Sequence, residues 1–106
     1  MTALYSQVGG CRVGRNFWLS FNASWPFATL EVHAERLILA GFWRRYDFPR
    51  ASVVRLSYHD GLFSSGLRIE HSIAACPRLV VFWTRDLHAL EEKFRTNAFP
   101  VFTSAA

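Results

Sequence analysis

His59 and Asp60 are adjacent, with Ser57 and Ser64 close by, and together these are the residue types of a nucleophilic relay. Their order argues against that chemistry. Neighbouring residues on a strand point to opposite sides, and no Gly-x-Ser-x-Gly elbow presents a serine. Asp60-Gly61 reads as turn chemistry instead. His71 shares strand parity with Leu67 and Ile69, which makes it a core or rim histidine rather than a base. Cys76, before Pro77, is the other candidate nucleophile, but no cationic cluster surrounds it in sequence to lower its pKa. The histidines at positions 33, 59, 71 and 88 and the cysteines at 11 and 76 show no metal-ligand spacing, and no Cys-x-x-Cys pair occurs. These residues predict no catalytic set, no cofactor and no metal.

Binding chemistry is better represented. Phe42-Trp43-Arg44-Arg45-Tyr46 interleaves aromatics with two arginines, and Arg50 follows closely. Aromatic faces and guanidinium groups suit stacking, a lipid headgroup or a protein partner. The same texture also describes an edge strand whose aromatics pack inward while its arginines face water. Trp25 and the pair Leu62-Phe63 fall at expected loop tips, where large apolar groups either enter a partner or interface or fold back over the core. The candidate contact residues are therefore Trp25, Trp43, Arg44, Arg45, Arg50, Leu62 and Phe63.

The formal charge of +4 comes from arginine, which supplies eleven of the twelve basic residues. Scattered as they are among strand patterns, these arginines form no nucleic-acid tract, and nucleic acid is the least favoured macromolecular partner. A hydrophobic fraction of 51% with 19% charged residues describes a folded chain. No apolar run approaches the ~20 residues needed to cross a bilayer. No secretory leader is legible in MTALYSQVGGC, so the expected compartment is the cytoplasm, with peripheral association at the inner membrane as the alternative. In that reducing compartment Cys11 and Cys76 are expected as thiols.

The elements that must carry these residues are mostly strands. Residues 1–11 read as a loose arm and 12–102 as one domain. Phe17, Leu19 and Phe21 alternate with polar or outward positions, and so do Ala28, Leu30 and Val32. Residues 22–26, with Pro26, read as the first hairpin loop, which contains no basic residue. Residues 36–40, 42–48 (after a bend or bulge at Gly41), 52–58, 67–71 and 79–83 complete about seven short strands. The period then changes. Leu87, Leu90 and Phe94 are at helical spacing, with Asp86 as N-cap, Glu91 placed to pair with Arg95, and Asn97 as the stop. A helix of about ten residues is marginal alone, so its apolar stripe must dock, and the mouth of a small barrel is the natural receptor.

Strands followed by one capping helix resemble the pleckstrin-homology-like fold. Residues 27–39, Tyr46-Asp47-Phe48-Pro49, Gly66-Leu67-Arg68-Ile69-Glu70-His71 and Leu79-Val80-Val81-Phe82-Trp83-Thr84 look similar to small bacterial proteins of that type. The resemblance implies a mainly β, partly open barrel of about seven antiparallel strands capped by a C-terminal α-helix. It also implies a binding module rather than an enzyme. The expected role is protein–protein interaction or self-association, and the alternative is peripheral binding to anionic phospholipid through the basic and aromatic surface.

Overall fold

The structure is a computed structural model and describes residues 4–14, 20–41, 44–60, 65–97 and 99. Seven strands precede one helix: β1 (Tyr5–Gly14), β2 (Ser20–Val32), β3 (Arg36–Gly41), β4 (Arg44–Pro49), β5 (Val53–Asp60), β6 (Ser65–His71), β7 (Leu79–Thr84) and α1 (Leu87–Thr96). A 3-10 turn, η1 (Arg50–Ser52), joins β4 to β5. The strands form a single antiparallel sheet in the order β4-β3-β2-β1-β7-β6-β5. Its two edges, β4 and β5, are consecutive in the chain, so the sheet curls into a half-barrel that stays open between them. With its C-terminal helix it has the general shape of a pleckstrin-homology-like domain.

Alternation decides which side of each strand faces in. Ala28, Leu30 and Val32 of β2, Val80 and Phe82 of β7, and Leu67 and Ile69 of β6 are all buried in one cluster. α1 closes it. Leu90 and Phe94 are fully buried and Leu87 packs against the same cluster, which is the docking that the helical stripe requires. Asp86 caps the helix by accepting from the Ala89 N–H at 3.1 Å, Glu91 pairs with Arg95, and Asn97 closes the other end. One core residue lies past that end: Phe99, edge-on to Phe94 with ring centroids 5.8 Å apart.

The largest correction concerns the N-terminus. The expected loose arm over residues 1–11 is, from Tyr5 onward, the central strand of the sheet, paired with β2 on one side and β7 on the other. Gln7 locks it to the helix entrance by donating to the Asp86 carbonyl at 3.0 Å while accepting from the Thr84 hydroxyl. Gly9 is required here for space: a Cβ would collide with the Trp83 carbonyl oxygen and come within 2.7 Å of the Phe82 ring.

A second correction follows from the first. Residues 22–26 are not a hairpin loop. They belong to β2, and the connection from β1 comprises residues 15–19, which lie outside the described residues and begin with Arg15. Pro26 is accommodated by a wide bulge. Gly9 pairs with Ala28 and Cys11 with Ala23, so residues 24–27 of β2 stand opposite Gly10 alone. Ladder bonding lapses there, and the missing N–H of proline costs nothing. The Trp25–Pro26 peptide bond is cis. Gly41, expected as a bend or bulge, is the last residue of β3 and pairs with Arg44, the first residue of β4. His59 and Asp60, read as a turn, are the last two residues of β5.

Candidate functional site

The bulge decides what the outer face of the sheet presents. Parity sends Ala28, Leu30 and Val32 inward, so Phe27 must face out, and it is 56% exposed. Trp25 is 50% exposed, and Val8 on β1 is 47% exposed. The Trp25 ring lies under the Arg85 guanidinium, 4.3 Å from its centroid. Arg85 follows β7, on the far side of β1 from β2, so the indole reaches across the central strand. Two large aromatics and a valine thus share one outer surface, with a cation fixed over one of them.

The other sequence candidates are elsewhere. Arg44 and Arg45 are exposed on the edge strand β4, and Tyr46 packs against the core. All three line a groove of about 420 Å³ whose opposite wall is Ile73, Cys76 and Pro77 of the β6–β7 loop. Arg44 pairs with Gly41 and Gly41 with Ala28, so this end of β4 is level with the Trp25–Phe27 bulge. Arg50 is turned into the fold. It donates through Nε to the Ala34 carbonyl at 3.0 Å and through Nη2 to the Asn97 carbonyl at 2.7 Å, and it lies over the Phe99 ring at 4.2 Å. Trp43, Leu62 and Phe63 lie outside the described residues.

On the other side of the β6–β7 loop is a cleft of about 610 Å³. Its walls include Arg68 and Glu70 of β6, Val54 of β5, and Ile73, Cys76 and Arg78 of the loop. His71 fixes the loop. Its Nδ1 accepts from the Ile73 N–H at 3.0 Å, so Nε2 carries the proton and donates to the Pro77 carbonyl at 2.8 Å. The Glu70 carboxylate accepts from Arg55 Nε at 2.7 Å and Nη2 at 3.0 Å. The Arg55 hydrogen bonds hold the Glu70 carboxyl below the usual carboxylate range, with the charges of Arg55 and Arg68 acting the same way and partial burial opposing them. Burial pushes the Cys76 thiol up, away from thiolate character, and both cysteines are free thiols.

Ser57 Oγ donates to the Glu70 carboxylate at 3.4 Å, a long contact. Among the described residues no group of three or more His, Cys, Asp or Glu side chains is arranged to hold a metal ion. No helix among them is long and apolar enough to cross a membrane.

Sequence reading missed Phe27, Val8, Arg85 and the paired walls of the larger cleft. For Phe27 a signal existed, since the parity of Ala28, Leu30 and Val32 already sends it outward. For the others none did, because they are assembled by strand pairing across the chain. No family model matches this sequence, and no curated protein or solved structure matches it either.

Proposed function

We propose that this chain is a non-catalytic binding module of the pleckstrin-homology-like kind, which docks a protein segment or a second copy of itself on the outer face of its sheet at Trp25 and Phe27. One observation carries the reading. On the outer face of the sheet, where Ile38 and Val81 are buried, a bulge instead holds two large aromatics at half exposure, with Val8 half exposed on the neighbouring strand. Such clustered apolar surface marks interaction sites, and Trp is the residue most enriched at binding hot spots.

The test is light scattering and pull-down with the full chain and its Trp25→Ala and Phe27→Ala variants. Association is expected to weaken by tenfold or more in either variant, roughly the value of one hot-spot side chain. The thermal midpoint is expected to shift little, since Trp25 and Phe27 are about half exposed and neither belongs to the buried core. A sharp fall in the melt with association unchanged would mean that the aromatics serve the fold instead.

A second reading, peripheral binding to anionic phospholipid at the inner face of a membrane, is favoured by register. Exposed Arg44 and Arg45 sit level with the bulge, so cations and an interfacial indole share one end of the sheet. Co-sedimentation with acidic vesicles that fades as salt rises, and that is lost in an Arg44→Gln/Arg45→Gln variant, would select it.

A further inference from the structure

Arg68 and Arg78 line the same cleft from different elements, one on β6 and one just before β7. Both are exposed, and among the described residues neither makes a hydrogen bond or an ion pair. The one acid lining the cleft is Glu70, and its carboxylate is already engaged by the Arg55 fork. The local balance is therefore positive: the Arg55–Glu70 pair cancels, and two guanidinium groups remain. Unpaired arginine forks are suited to planar or tetrahedral oxyanions, which they engage through two parallel N–H donors. Val54, which is 61% exposed on its bulge in β5, adds apolar wall with Ile73 and Ala74. The volume of about 610 Å³ falls in the range of small-molecule sites. Both ring nitrogens of His71 are occupied in holding the loop that forms the far wall, so the cleft's shape does not depend on a ligand.

We propose that this cleft is an oxyanion site for a small ligand, with Arg68 and Arg78 clasping a carboxylate or phosphate group and Val54, Ile73 and Ala74 receiving its apolar part. The site is separate from the Trp25–Phe27 surface and does not rest on the role assigned to that surface. The charge of the arginines supplies affinity for the oxyanion, and the apolar wall supplies preference for a substituted anion over a bare one.

The test is a titration of the 106-residue chain, followed by amide and arginine side-chain NMR, with inorganic phosphate, phenyl phosphate and benzoate. Shifts are expected to concentrate at Arg68 and across residues 72–78, with phenyl phosphate or benzoate binding more tightly than inorganic phosphate. Phenyl phosphate outbinding benzoate would assign the site to phosphate esters, and the reverse would assign it to carboxylates. Arg68→Gln and Arg78→Gln are each expected to weaken the better ligand by about tenfold, the value of one charge-assisted hydrogen bond. Arg95→Gln, which removes the same charge from the helix, is expected to leave it unchanged. Shifts spread over the whole surface, equal weakening by Arg95→Gln, or full binding by the Arg68→Gln/Arg78→Gln double variant would each overturn the proposal. Heat denaturation of every variant separates lost binding from lost fold.

Discussion

Arg50 donates to the carbonyls of Ala34 and Asn97 and covers the Phe99 ring, so one side chain ties the β2–β3 turn, η1 and the end of the helix together. Read alone, Pro49-Arg50-Ala51 offers only a basic residue near a turn. Its partners are 16 and 47 residues away, and contacts of that range leave no local trace in a sequence. His71 is the opposite case, because its parity with Leu67 and Ile69 already marks it as a core or rim residue, and its two hydrogen bonds satisfy both ring nitrogens. Arg50→Ala removes charge-assisted bonds to two carbonyls and leaves the carbonyls to find water. A loss of about 2–3 kcal/mol is expected in urea denaturation. Arg50→Lys should recover only part of it, since an ammonium cannot serve both carbonyls and stack on Phe99 in the same geometry. A variant with an unchanged midpoint would mean that the Arg50 contacts exchange freely with water.

About seven strands were expected and seven are present among the described residues, but they are not the same seven. The end of one expected strand, Ser20-Phe21, and the expected strand beginning at Ala28 belong to one long β2, because its bulge absorbs the Pro26 signal that normally ends a strand, and residues 17–19 lie outside the described residues. The strand that went unread, β1, carries Gly9-Gly10 at its centre, and glycine pairs are ordinarily turn signals. Here Gly9 is a packing requirement, set by Phe82 and Trp83 on the neighbouring strand. The helix, by contrast, was legible in full, since caps and a 3.6-residue period are local. Gly9→Ala tests the steric account. At an unhindered position the change would stabilise by about 0.4–1 kcal/mol through the unfolded chain. At Gly9 the new methyl meets backbone, which cannot swing away as a side chain would. A destabilisation of about 1–3 kcal/mol or more is expected instead, read from chemical denaturation. The sign of the change decides between the two.

At the scale of the molecule, the helix and the sheet are one object. Leu90, Phe94 and Phe99 belong to the same buried cluster as Leu30, Phe48 and Phe82, so the helix and the sheet share one core. The Cα radius of gyration of 12.5 Å is that of one close-packed unit of this length. A half-barrel open between β4 and β5 has an apolar interior that something must cover, and α1 supplies the cover. The helix in turn is too short to persist without the barrel. Each part therefore depends on the other, and unfolding should be a single step. Far-ultraviolet dichroism, which weights the helix, and tryptophan fluorescence, to which Trp25 of β2 and Trp83 of β7 contribute, are expected to give superimposable transitions. Phe94→Ala sharpens the test, since truncating a fully buried phenylalanine costs about 3–5 kcal/mol. Against a total stability of about 5–15 kcal/mol for a domain, that loss should bring both signals down together. If the variant lost helical signal first and kept a cooperative sheet transition, the helix would be an accessory lying on a self-sufficient barrel.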